Sequence, residues 1–366
     1  VRLGTCVALE LAIAAGAAGG VWLAASRGPE IVRSYLHREA VAATAPIVPR
    51  ASVAPGTAAP VPLERPALTV APPEPETVFG TPDHELLGPI ATSPVTKVKL
   101  NHGGSSLSLR IDFASGARAA FKPLQIHPQS DPRREIAAYR IDRLLGIGHV
   151  APAKSAEFSV DELVAAFEPS GRAYAAGRID GEAIAHRGML VGEVSWWIPE
   201  IKSVRIEGKL IDESEGMGLW ASYLQAGAAM PDELRSMLAQ ISAVILFDLL
   251  IDNADRWSGN NTQGSVDGRI LYFMDNTLSF STFTLGHSNN LSKLYRIQVF
   301  PRALVGKLRG LTLEAVSAAL GREDDLLGPL LTDVEIRAII ARRDHILEYV
   351  DKLIADLGED AVLALP

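Results

Sequence analysis

Cysteine is almost missing from this chain: Cys6 is the single one in 366 residues. Neither a disulfide framework nor a cysteine-built zinc site can therefore form within one copy. Histidine is thin as well, with eight residues scattered and in no HExxH-type pair, so zinc catalysis is not expected. No long basic run occurs and the formal net charge is −8. Binding DNA or RNA needs a dense cationic footprint, so a nucleic-acid partner is not expected either. What the chain holds in quantity is apolar residues, 48% of the total. That is enough to bury a substantial core, in one large domain or two lobes.

The apolar material starts early. Residues 11–25 are apolar and lie between Arg2 and Arg27. A signal peptide, a retained membrane anchor and a buried core helix compete for this stretch. The core helix fits worst, because a long proline-rich tract follows and would leave it without packing partners. The run is nearer the length of a signal-peptide core than the ~20 residues that span a bilayer. Glu10 sits awkwardly for either export form. The expectation is an exported chain, with residues 1–28 a signal peptide or a membrane anchor. Cys6 precedes the apolar run and so does not have the placement of a lipid-attachment cysteine. Residues 29–90 read as an Ala/Pro-rich disordered linker, densest in PVPLERPALTVAPPEPE. Such a composition buries too little to offset chain entropy.

The folded domain is expected over 91–360. TKVKL, SLSLRIDF and ARAAFKPL alternate polar and apolar residues in the manner of strands, with NHGGSS (101–106) and Ser115-Gly116 as turns. Asp131-Pro132 opens a helix that should stop at Gly146. GMLVGEVSWWIPEI (188–201) reads as a strand running into a connection. Pro231-Asp232 then opens a helix that is apolar nearly all round, hence buried. Helices fill the remainder from Leu311. The pattern is α+β: a small strand-rich N-lobe of about 91–195, a helical C-lobe of about 196–360, and a cleft between them.

The buried helix delivers the chain into DNADRWSGNN. Asp255 is followed five positions later by Asn260, and Asp275 ends the apolar run ILYFMD. Each has an ordinary explanation alone. Asp, Asn and Gly build any turn, Lys122 at the end of AAFK could be a solvated edge lysine, and Glu135 could simply complement a helix dipole. Their order is harder to dismiss. A strand lysine, a helix glutamate, a loop Asp with a following Asn, and a strand-end Asp are the parts of a phosphoryl-transfer cleft. In such a cleft Lys122 grips the phosphates of ATP and Glu135 holds the lysine. Asp255 orients the acceptor hydroxyl, while Asn260 and Asp275 bind Mg or Mn. Gly103 and Gly104 could let a backbone loop cover the phosphates, or could merely turn a hairpin.

The segments AFKP, REIAAYRIDRLLG (134–146) and VAPA resemble the Golgi-type secretory-pathway kinases. That family covers the casein-phosphorylating kinase, the xylose kinase of proteoglycan synthesis and the four-jointed kinase. DNADRWSGNN with FMDNTLSF also resembles type II phosphatidylinositol 4-kinases. The resemblance runs from about Lys97 to Gly358 and implies a two-lobed atypical protein-kinase-like fold. It assigns Lys122 and Glu135 to the nucleotide, Asp255 to catalysis and Asp275 to metal. Two departures stand out. Thr277 replaces the family's glycine, which restricts the backbone just after the metal ligand. The cysteines that crosslink animal members are absent, which suits a bacterial periplasm or cell envelope, or secretion. Protein Ser/Thr is the expected acceptor. A glycan or lipid head-group kinase and a catalytically weak pseudokinase scaffold are the alternatives.

Overall fold

The structure is a computed structural model that describes residues 76–101, 105–258, 261–321 and 326–366. The expected leader at 1–28 and most of the expected linker lie outside the described residues. All described residues belong to one compact unit, Ala71–Pro366.

The linker expectation through residue 90 needs correction, because the chain is already packed from about Val78. The Val78 amide donates to the Gly148 carbonyl at 3.1 Å. The Phe79 ring stacks on Tyr272 and meets Trp196 edge-on. In the short helix α1 (Asp83–Leu87), Asp83 accepts from Arg143 and from the Tyr139 hydroxyl. Ile90 is fully buried. Composition called this segment disordered, but two aromatic contacts and an ion pair hold it down.

Strands β1 (Val95–Leu100), β2 (Leu109–Phe113) and β3 (Arg118–Pro123) form an antiparallel meander. The period-2 pattern decides which face is buried: Leu109, Ile111 and Phe113 point to the core, as do Ala119 and Phe121. Ala120 and Lys122 are thereby turned to the other face. Helix α2 (Pro132–Leu145) follows, with the Asp131 side chain accepting from the Arg133 amide and Gly146 left-handed at its end. Then come β4 (Ala153–Ser159), helices α3 (Val160–Ala165) and α4 (Pro169–Glu182), β5 (Ala185–His186) and β6 (Met189–Trp196). Sheet order is β1-β2-β3-β6-β4, with β5 on β6. Gly192 on β6 is where only a glycine fits: a Cβ there would lie 2.3 Å from the Lys122 carbonyl oxygen.

The C-lobe opens with two small two-stranded pieces. β7 (Lys202–Ser203) pairs with β10 (Gln263–Gly264), and β8 (Arg205–Ile206) with β9 (Lys209–Leu210). Helices α5 (Ser214–Tyr223), α6 (Asp232–Ile251), α7 (Ser288–Leu294), α8 (Arg302–Gly310), α9 (Leu313–Leu320), α10 (Asp333–Leu357) and α11 (Glu359–Val362) build the rest. Helix α6 is long and apolar enough to cross a membrane, but its second half is buried in the core. It ends at Asp252, a left-handed residue with φ 56°, which turns the chain sharply into the Asp255 loop.

Two further observations bear on the site. Ile136, Ala137, Ile141 and Leu145 of α2 belong to the C-lobe core, so the Glu135 helix is anchored in the larger lobe although it follows an N-lobe strand. The run before Asp275, expected as a strand, is extended but not part of a sheet. Leu271 bridges Gly264, the Tyr272 amide bonds to Gln263, and the Phe273 amide bonds to His149.

Candidate active site

A cavity of about 580 Å³ lies between the sheet and the helical lobe. Its apolar wall is Ala120, Val150, Ala153, Trp196, Ile198 and Phe273, and its polar floor includes Lys122, Glu135, Glu193, Asp275 and Asn276. Lys122 is the centre of that floor. Its Nζ donates to Glu135 Oε1 at 2.7 Å and to Asp275 Oδ1 at 2.9 Å. Burial opposes the lysine charge, but Asp275 and Glu135 outweigh it and hold the pKa above the ordinary lysine value. The same lysine pulls the Asp275 carboxyl down, against its own burial.

Strand, helix and loop thus meet through one cation. Glu135 reaches it because its helix starts at Asp131 and places the glutamate in the first turn. Asp275 reaches it through an unusual backbone, with φ 53° at a non-glycine residue. Such a conformation costs energy and persists only where neighbours enforce it. Asn253 is one enforcer: its Nδ2 donates to the Asp275 carbonyl at 3.1 Å.

Asn276 ties the rest together. Fully buried, it donates to Glu135 Oε2 at 3.2 Å and accepts from Asn253 at 3.1 Å and Arg256 at 2.7 Å. Arg256 and its partner Asp248 on α6 are also buried, with Nε to Oδ1 at 3.2 Å. Burial pushes the Asp248 carboxyl up to about 6, against the Arg256 charge. Asp248 thus ties the end of α6 to the loop that carries Asp255.

Asp255 sits just after Asn253, whose side chain accepts from its amide at 3.0 Å. The carboxylate of Asp255 is held by Ser258 at 2.6 Å and by Asn261 Nδ2 at 3.0 Å. Asn261 lines the cavity. The expected metal ligand Asn260 lies outside the described residues, as do Gly103 and Gly104. Their neighbours Asn101 and Ser106 line the cavity. Asp142, seven residues after Glu135 on α2, takes no part in this floor and pairs with Arg143. It is fully buried and accepts from the amides of Gly148, His149 and Val150 and from Arg143.

Besides Asn276, a second floor residue escaped the sequence. Glu193 on β6 is paired across the sheet with Lys122 and is almost completely buried. Neither of its oxygens has a hydrogen-bond partner of good geometry. Burial first, and then the Glu135 charge, raise its pKa well above the carboxylate range. The register that puts Glu193 beside Lys122 is the only signal that could have revealed it, and register is a long-range property.

No family model matches the chain. The human (Homo sapiens) glycosaminoglycan xylosylkinase is 24% identical over 312 residues, covering 75% of this chain and 76% of its own length. The Danio rerio xylosylkinase is 24% identical over 316 residues, with 76% of each covered. The Golgi casein kinase with Mn/ADP bound superposes with a TM-score of 0.60 at 17% identity, over 77% of this chain and 78% of that one. A hydra Fam20 structure with sugar gives 0.56 at 17% identity, over 75% and 90%. The chain is similar to the Golgi-type atypical kinases. It has their two-lobed α+β fold, and the Lys122 floor lies between the lobes.

Proposed function

We propose that this Golgi-type kinase relative transfers the γ-phosphate of ATP to a hydroxyl, with help from Mg or Mn. The observation that carries this is Lys122 bonded to both Glu135 and Asp275 on the floor of a cleft with an apolar, aromatic wall. The wall suits a nucleobase and the lysine suits phosphate oxygens.

The donor set fits a hard divalent cation. Asp275 Oδ1 is taken by Lys122 and Thr277, but no described residue donates to Oδ2, and the side chain is 42% exposed. Among the described residues no three acidic, His or Cys side chains converge on one point. Phosphate oxygens would complete the shell around Asp275, the ordinary situation for magnesium. A cation there would neutralise charge on the transferring phosphoryl group. Lys122, held by Glu135, would grip the phosphates. Asp255, fixed by Ser258 and Asn261, would orient the acceptor hydroxyl and take its proton.

For the acceptor we favour a glycan hydroxyl over the protein serine or threonine expected from sequence. Two relatives that match over three quarters of the chain are xylosylkinases by name, whereas the likeness to the casein kinase is one of fold. The same kinship supports a secretory-pathway or exported setting, with any membrane attachment assigned to the N-terminal segment.

The test is to incubate the protein with labelled ATP, Mn or Mg, and either a xylose-bearing oligosaccharide or casein. Label in the oligosaccharide supports the proposal, and label only in casein moves the acceptor to protein. No transfer to either, with nucleotide bound, points to a scaffold. Asp255→Ala should lower the rate on the order of 10²–10⁴-fold; turnover near that of the native protein would count heavily against its role.

A further inference from the structure

The glycine expected after Asp275-Asn276 is a threonine, and the structure gives that threonine a contact that glycine cannot make. Thr277 Oγ1 donates to Asp275 Oδ1 at 2.9 Å. The same oxygen accepts Lys122 Nζ at 2.9 Å. Thr277 is buried, 9% exposed, and is β-branched, so few side-chain rotamers are open to it. Glycine's backbone freedom is not needed here either. The positive φ nearest this position belongs to Asp275 itself, at 53°, and Thr277 is not among the residues of positive φ.

We propose that Thr277 is a positioning residue for the cation: its hydroxyl and Lys122 pin Asp275 Oδ1, which fixes the carboxylate plane and presents Oδ2 to the metal. An aspartate on a strained backbone has two side-chain torsions through which it can turn away. Lys122 alone is a poor restraint, since its ammonium is a point charge on a flexible stem and must also serve phosphate oxygens. A second donor, built into the turn two residues on, keeps the carboxylate in place when the lysine moves to the nucleotide. Here the chain replaces a backbone-permissive position by a hydroxyl latch. This deepens the kinase proposal and rests on it.

The experiment is a thermal-shift and calorimetric titration with Mn alone, ADP alone and Mn with ADP, on the native protein, Thr277→Val, Thr277→Ala and Thr277→Ser. Thr277→Val keeps the shape and removes the donor. Expected is a roughly tenfold weaker apparent Kd for Mn with ADP in Thr277→Val and Thr277→Ala, as for loss of one hydrogen bond to a charged group. Binding of metal-free ADP should stay within twofold, and Thr277→Ser should recover the native affinity. A merely structural role would lower both kinds of binding together. Should Thr277→Val not fold, the Ala and Ser pair carries the same comparison, since neither overfills the site. Native-like Mn dependence in Thr277→Ala, or failure of serine to rescue, overturns the proposal. If the native protein itself shows no Mn- and ADP-dependent shift, the kinase assignment fails first, and the threonine role falls with it.

Discussion

At the scale of single residues, a chain of hydrogen bonds runs through the floor of the cleft from Lys122 to Arg256. Glu135 divides its two oxygens between Lys122 and Asn276. Asn276 in turn divides its oxygen between Asn253 and Arg256. Arg256 is the member whose loss should cost most. Replacing it with Met strands the Asp248 carboxylate in an apolar core, where an unpaired charge typically costs about 3–5 kcal/mol. Denaturant melts should show that loss for Arg256→Met, and a clear partial recovery when Asp248→Asn is added. Equal destabilisation in single and double variants would mean that the ion pair is not what holds the loop. Glu193 belongs to this scale too. A buried carboxylate with no good donor, facing a second carboxylate across a lysine, is a cost that a purely structural core would not retain.

At the scale of elements, the contacts that brace the site link pieces distant in sequence. Arg134 of α2 donates to the Ser279 carbonyl and reaches Glu335 at the start of α10 at 3.0 Å. Arg342 of α10, fully buried, donates to carbonyls of Leu250, Ser281 and Phe283. These two arginines brace the segment after Thr277 from both sides. Between α2 and β4, His149 stacks on Phe273, and its Nδ1 lies 2.7 Å from the Leu271 carbonyl. Burial holds this imidazole down at about 4, against ~6.5 in an unfolded chain. Between those values the unfolded chain binds a proton that the folded one does not. Stability from this group is therefore complete above about pH 6.5 and falls as pH drops to about 4, by about 3 kcal/mol. Urea melts at pH 7 and pH 4.5 should show a smaller acid loss in His149→Phe than in the native protein. An unchanged difference between the two pH values would show that the histidine is not the sensor.

At the scale of the whole molecule, the folded unit begins earlier than composition suggests. Phe79 packs against Tyr272 and Trp196, and Asp83 pairs with Arg143. Trp196 also lines the cleft, so this N-terminal segment backs one wall of the site. A chain starting at Glu76 should melt as the full chain does. One starting at residue 91 should lose on the order of 3 kcal/mol or more, since it strips a buried Ile, an aromatic anchor and the partner of a buried arginine. Equal melting temperatures would restore the linker boundary at residue 90.

The helix of Glu135, the buried helix before Asp255 and the strand of Lys122 were all legible in the sequence. Their signals are local: an Asp-Pro cap, an unbroken apolar run, a period-2 alternation. The apolar run before Asp275 read as a strand, and the segment around Phe79 read as linker. Both errors have one cause, because packing partners far along the chain decide whether an extended segment joins a sheet or a Pro-rich one is held down. Residue type and order by themselves nominated Lys122, Glu135, Asp255 and Asp275, and the structure brings Lys122, Glu135 and Asp275 together. Only the tertiary structure decided that Glu193 stands beside Lys122, that Asn276 joins the two loops, and that Thr277 bonds to Asp275. Those contacts depend on strand register and on a left-handed turn, and neither is encoded in any one short stretch of residues.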